Sequence, residues 1–365
     1  MPTFAHLARL TDDTGLFEHA RHATARREHG YCTDDVARGL VVASREPVPS
    51  AEVIRLAECY LTFLTHAQDA DGAFHNRLGF NRAWTDQPGL GDWWGRALWG
   101  LGVAAARSPV PWIRREALLA FDRSVWCRAT APRAMAFAAL GAAEVLRADP
   151  GNALAAELLS AAVAVIGRPG ADPGWPWPEE RLSYANAALA EALIVAGDLL
   201  DDPPALAAGL RMLTWLLHIQ TSDNHLSVLP SSGWQSGGPR LRHDQQPIEV
   251  AALADACATA AVVTGDPAWH VGLRQSVDWF LGANDIGEPM WDSATGGGYD
   301  GLTLRGPNLN QGAESTLALI STLQYGSARA RVLASPSPDS PQDRLDTVPS
   351  PGLPGRRAHE AVPSG

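Results

Sequence analysis

Thr33-Asp34-Asp35 opens a run of Ala/Leu-rich sequence, and five further stretches do the same: Gly91-Asp92-Trp93, Pro132-Arg133, Ser183-Tyr184-Ala185-Asn186, Pro247-Ile248-Glu249 and Asn310-Gln311-Gly312-Ala313-Glu314. Each begins with polar, mostly carboxylate-bearing residues and passes directly into helical text, with further amphipathic helical stretches between them. Such an alternation is the signature of helical hairpins stacked around an axis. The repeat predicts an all-α toroid in which the six polar starts ring a common pocket.

The helices expected to face inward cover about 34–45, 92–107, 133–147, 184–199, 248–264 and 311–324. They are apolar on most faces, as a helix packed on both sides must be. The outer helices are expected over about 52–67, 112–127, 152–167, 204–219 and 268–282. Their apolar residues keep a one-sided spacing, as in Leu206, Leu210, Leu213 and Leu217. Connections from inner to outer helix are short and carry proline, for example Asp149-Pro150 and Asp266-Pro267. The returns over 68–91, 168–182, 220–246 and 283–309 are long, and long loops inside a compact domain point to function.

The chain of 365 residues is 46% apolar and 19% charged, enough to bury a substantial core, and reads as one domain over 1–330. Residues 331–365, rich in Pro and Ser without apolar periodicity, are expected to be disordered. No apolar run suggests a bilayer span, and no basic-then-apolar segment follows Met1, so cytoplasm is the expected location. Cys32, Cys59, Cys127 and Cys257 lie far apart without metal-type spacing and read as reduced thiols. A net charge of −11 argues against a nucleic-acid partner. All 29 basic Lys/Arg positions are Arg, which excludes mechanisms built on a lysine amine, such as Schiff-base chemistry and Walker-type nucleotide hydrolysis.

Seven tryptophans, Trp84, Trp93, Trp94, Trp175, Trp177, Trp234 and Trp291, fall in or beside the long loops. Indole faces around a polar bowl suit pyranose rings, although some of these rings should simply plug the barrel mouth. For any one acid, helix capping competes with function, because Asp and Ser are preferred N-caps and first-turn Glu complements the helix dipole. Capping does not explain the doubled Asp34 and Asp35 or the convergence of acids with Arg38 and Arg96. Ring closure brings Glu314 near Glu249 and near Asp34 and Asp35. Two carboxyls flanking a glycosidic oxygen are the equipment of glycoside cleavage, so Asp35, Glu249 and Glu314 are the catalytic candidates. Asp34, Arg38, Asp92, Trp93, Arg96, Trp175, Trp177, Tyr184, Asn186, His243, Asp244 and Gln311 are the substrate-binding candidates. A histidine pair could instead serve an epimerase, with His243 the histidine best placed for the pocket. No histidine shows zinc-ligand spacing, so no metal site is expected.

The segments Leu10-Thr11-Asp12-Asp13-Thr14-Gly15-Leu16-Phe17-Glu18-His19-Ala20, Gly30-Tyr31-Cys32-Thr33-Asp34-Asp35, Asp92-Trp93-Trp94-Gly95-Arg96, Trp175-Pro176-Trp177 and Asn310-Gln311-Gly312-Ala313-Glu314-Ser315-Thr316 resemble a bacterial glycosidase-like family whose members accompany glycosyltransferases. The likeness runs from residue 3 to about 325. It departs at Val36, where sequences of that group often carry Asn. The resemblance implies an (α/α)6 toroid of the kind shared by glycoside hydrolases and N-acylglucosamine 2-epimerases, and a functional association with a glycosyltransferase. It supplies no catalytic assignment. The expected function is therefore glycoside hydrolase-like action on an oligosaccharide or polysaccharide without a cofactor. A histidine-based sugar epimerase and a non-catalytic glycan-binding partner are the alternatives.

Overall fold

A computed structural model describes residues 3–334. Twelve α-helices run through them: α1 (Ala5–Leu10), α2 (Thr33–Arg45), α3 (Ala51–Ala67), α4 (Asp92–Arg107), α5 (Pro111–Ser124), α6 (Pro132–Ala148), α7 (Ala153–Ile166), α8 (Ala187–Leu199), α9 (Pro203–Ile219), α10 (Pro247–Thr264), α11 (Trp269–Phe280) and α12 (Ala313–Ala334). Each even-numbered helix from α2 to α10 packs on the next even-numbered one, and each odd-numbered helix from α3 to α11 packs on the outside of its even-numbered partner. α12 closes the ring. Its Gln324 donates to the Val42 carbonyl of α2 at 2.9 Å, and its Tyr325 hydroxyl donates to Asp255 of α10 at 2.6 Å. The fold is an (α/α)6 toroid.

Burial follows from this layering. In α4 every residue from Trp94 to Ala104 is buried, whereas in α7 only Ala155, Leu158, Leu159, Ala162 and Ile166 are. The inner wall is tight where glycine permits backbone contact: a Cβ on Gly141 of α6 would sit 2.2 Å from the Leu98 carbonyl of α4. Alanine there forces two inner helices apart, an overpacking that costs about 1–3 kcal/mol.

Side-chain caps occur at only three helix starts among those described, all of them outer. The outer helices α3, α7 and α9 carry side-chain caps from Ser50, Asn152 and Asp202. The outer helices α5 and α11 and the inner helices α2, α4, α6, α8 and α10 have none. The carboxylates at the inner starts are therefore not spent on capping.

Three boundaries differ from the sequence reading. α1 supplies a sixth outer helix that its six residues were too few to announce. It is tied by His6 Nε2, donating to the Gln311 carbonyl at 2.9 Å, and by a Thr11–Tyr60 hydroxyl contact at 2.8 Å. α8 starts at Ala187 and not at 184, because Ala185 takes a left-handed turn at φ 45°. α12 runs on to Ala334, past the start of the tail expected from 331; residues 335 onward lie outside the described residues. α10 also meets the length and mean hydropathy of a membrane span, which the sequence reading did not register, yet it is packed as an inner wall of the ring.

Candidate functional site

A bowl of about 660 Å³ opens where the inner helices begin, on the side of the long loops. Its floor is organised by Arg38. Residues three and four apart on a helix share a face, so Asp34, Asp35 and Arg38 converge within the first turns of α2. Arg38 Nη2 donates to Asp35 Oδ1 at 2.5 Å and to Asp34 Oδ2 at 3.3 Å, while Nη1 donates across the ring closure to Glu314 Oε2 at 3.1 Å. Arg96 of α4 also bonds Asp34 and rests on the Phe137 ring at 4.4 Å. One guanidinium thus gathers three carboxylates. The Asp35 and Glu314 oxygens it holds lie no more than about 8 Å apart, the reach of one guanidinium fork and two hydrogen bonds.

The two acids differ in setting. The Asp35 side chain is 4% exposed and that of Glu314 is 42% exposed. Burial pushes the Asp35 carboxyl up to about 7; Arg38 opposes this, and Asp34, Glu314 and Glu18 reinforce it. Around neutral pH Asp35 can hold or release a proton at the bowl floor.

The wall continues with Asp92, which accepts from the Tyr184 hydroxyl at 2.6 Å, and with Trp93, whose indole donates to the Phe74 carbonyl at 2.7 Å. Burial and the Asp92 contact raise the Tyr184 phenol to about 12, so it stays a donor. Tyr184 remains 43% exposed and presents its ring to the bowl.

Eight expected residues line this bowl: Asp34, Asp35, Arg38, Asp92, Trp93, Arg96, Tyr184 and Glu314. Seven do not. Glu249 is 3% exposed and turns toward α8, accepting from Asn186 Nδ2 at 3.0 Å; burial raises it to about 7. Asn186 is itself enclosed, its Oδ1 accepting from Arg133 at 3.0 Å. The position expected of Glu249 is taken by Gln246, at the N-cap of α10. Trp175 packs at 5.2 Å on Trp215 of α9, and Trp177 is buried with its indole donating to Glu179, so both serve the core. Gln311 turns to Asp292 and Thr295. His243 and Asp244 sit on the 220–246 loop away from the bowl, where His19 is the histidine among the described lining residues.

Glu18 and Asp300 were not foreseen. Glu18 pairs with Arg77, and its carbonyl accepts from Ala313 N at 3.0 Å, pinning the start of α12. Asp300 accepts from Ser315 Oγ and Gly312 N, both at 2.7 Å. Both acids lie on loops, where no periodicity marks a direction. Glu18 at least falls within the stretch that carried the family resemblance. Ligand atoms of Glu18, Cys32 and Asp35 come within 4.8 Å of one another. They make a poor cation cradle, since burial pushes the Cys32 thiol well up and Arg77 and Arg38 already occupy the two carboxylates.

Beneath the floor, a well of about 50 Å³ shares Arg38 and Arg96 with the bowl and is otherwise lined mainly by apolar side chains such as Trp99, Phe137 and Leu317. Glu191, Asp255 and Ser321 line it as well, and Arg45 pairs with Asp255 at 2.8 Å.

No family model matches the chain, and none of the curated proteins does. Solved structures share its fold. A sugar epimerase from a ruminal bacterium superposes with a TM-score of 0.66 at 13% identity, over 88% of this chain and 95% of its own. A D-mannose isomerase gives 0.63 at 10%, over 89% and 95%. The GH76 α-mannanase of Bacteroides thetaiotaomicron gives 0.56 at 9%, over 84% and 88%. At these identities the likeness establishes the toroid alone.

Proposed function

We propose that the protein is a carbohydrate-active enzyme that cleaves a glycosidic bond in an oligosaccharide or polysaccharide. Asp35 protonates the leaving oxygen, and Glu314 acts as nucleophile or as the base that activates water. The observation that carries this reading is the single Arg38 fork holding a buried carboxyl raised to about 7 beside a carboxylate open to the bowl. A buried carboxyl whose pKa is raised can serve as the acid beside an accessible second carboxyl that serves as nucleophile or base. Fold-sharing proteins that act on sugars, by name both epimerases and a mannanase, agree with a sugar in the bowl. A histidine-based epimerase is disfavoured because a two-histidine mechanism needs two imidazoles facing the substrate, and His19 alone lines the bowl among the described residues. The reaction as written requires no cofactor.

The test is a panel of neutral oligosaccharides incubated with the purified protein and resolved by chromatography and mass. Shorter products that vanish with Glu314→Gln and Asp35→Asn, both folded by circular dichroism, support the proposal. Mass-neutral conversion overturns it in favour of an epimerase. Binding without turnover overturns it in favour of a glycan-binding partner for a glycosyltransferase.

A further inference from the structure

Two polar groups at the bowl floor are left half-satisfied in a complementary way. Arg96 is 4% exposed; its Nη1 bonds Asp34 Oδ2, while its Nε and Nη2 find no acceptor. Asp34 Oδ1, on the carboxylate that Arg96 grips, finds no donor. Orphaned buried polar groups are costly, and a native protein that keeps two of opposite kind in contact keeps them for something that satisfies both.

From this we infer that the Arg96–Asp34 pair is a recognition subsite for one non-reacting hydroxyl of a neutral sugar, and that it makes the bowl reject anionic sugars. A hydroxyl is the group that meets both needs: its oxygen accepts from Arg96 and its hydrogen goes to Asp34 Oδ1. A carboxylate or phosphate answers Arg96 but meets Asp34 as a like charge. An ammonium answers Asp34 but leaves the arginine donors facing a cation. The wider bowl agrees. Arg38, Arg77 and Arg96 are each already paired with bowl carboxylates, so none of the three offers an acid an uncompensated positive charge. Asp92 and Asp300 hold only neutral donors, Tyr184 and the Ser315–Gly312 pair, and add negative potential. Like-charge juxtaposition in a partly buried site rejects the wrong ligand more strongly than it favours the right one. None of the three orphan atoms reaches solvent in the free protein, so binding the hydroxyl requires the pair to shift toward the bowl.

This inference rests on the carbohydrate reading, and binding tests it separately from turnover. Isothermal titration of the Glu314→Gln protein, chosen so that the glycan stays intact, uses neutral gluco- and manno-oligosaccharides of two to four units. It then uses the monodeoxy analogues of whichever binds, and its uronic-acid counterpart. One monodeoxy analogue should bind about ten- to a hundredfold more weakly, because it leaves buried groups unpaired. The uronate should bind more weakly still. In Arg96→Gln and Asp34→Asn backgrounds the parent should fall to the level of that analogue, with no further loss for the analogue itself. The ligand series is read on the Glu314→Gln protein alone, so it needs neither the Arg96 nor the Asp34 variant to fold. A uronate that binds as well as the neutral parent, or a deoxy series that is uniformly unaffected, overturns the inference while leaving the carbohydrate reading intact. Binding of no glycan overturns both.

Discussion

Arg38 and Glu314 meet at 3.1 Å although 276 positions separate them, so the ion pair at the centre of the bowl is also a seam at which the ring of helices closes. α2 starts the inner ring and α12 ends it. The same guanidinium that pairs Glu314 also bonds Asp34 and Asp35. Arg38→Gln leaves three carboxylates facing one another with their shared cation gone, two of them largely enclosed. Removing one partner of a buried ion pair costs about 3–5 kcal/mol. The expected outcome is a clear fall in melting temperature, with Arg38→Lys intermediate because an ammonium cannot span three acceptors as a planar fork does. An unchanged melt for Arg38→Gln would show that the network adds nothing to ring closure.

Glu249 separates position in sequence from position in space. It is buried against Asn186 outside the bowl, so Glu249→Gln, which keeps an acceptor for Asn186 Nδ2, is expected to fold and turn over substrate nearly as the native protein does. Glu249→Ala leaves that amide unpaired and should cost about 1–3 kcal/mol of stability. Glu314→Gln is expected to show the reverse pattern: an intact melt and a rate loss on the order of 10² or more. A rate loss in Glu249→Gln matching that in Glu314→Gln would return Glu249 to the chemistry.

The ring was legible because its two signals are local: polar starts before Ala/Leu text, and the contrast between all-round and one-sided apolar spacing. α1 was not legible, since six residues carry less than two turns of periodicity. Within the site, Asp34, Asp35 and Arg38 could be read together because helical spacing fixes their common face. Glu249 and Gln246 share one helix start, and sequence alone does not say which of them faces the axis. Trp175 and Trp177 were drawn toward the core by Trp215, a residue of an outer helix whose loop-side neighbours no pattern reveals. Glu18 and Asp300 sit on irregular backbone, where the direction of a side chain is a purely tertiary property.

Glu191 beneath the floor gives a pH signature independent of catalysis. Burial and the neighbouring Asp255 push its carboxyl up to about 8 from an ordinary 4.5, while Thr259 donates to Oε1 at 2.7 Å. The folded pKa lies above the unfolded one, so the folded state binds more protons between these values. This contribution is fully present below about 4.5 and is lost as pH rises through about 8. Glu191→Gln mimics the protonated form at every pH. Its melting temperature should track that of the native protein near pH 4.5 and exceed it increasingly toward pH 9. Parallel curves across that range would show that Glu191 is ionised in the folded protein at neutral pH.

Asp35 ties the electrostatics of the floor to rate. As the acid it must carry its proton when substrate binds, and its carboxyl is raised to about 7, chiefly by burial. The profile of kcat/KM should therefore hold at lower pH and fall as pH rises through about 7, the pH at which the free enzyme loses that proton. Arg38 pulls the Asp35 pKa down, so removing the guanidinium must raise it further. In Arg38→Gln the alkaline limb is expected at higher pH, whatever the fall in absolute rate, whereas Arg38→Lys, which keeps a cation beside Asp35, should move it less. A purely structural role for Arg38 would lower the rate and leave the limb in place. Asp35→Asn, which carries no titratable proton, should abolish the limb along with most of the activity. If the limb persists unshifted in all three variants, the proton comes from another bowl acid, and Glu18, whose ligand atom lies within 4.8 Å of that of Asp35, is the next to replace.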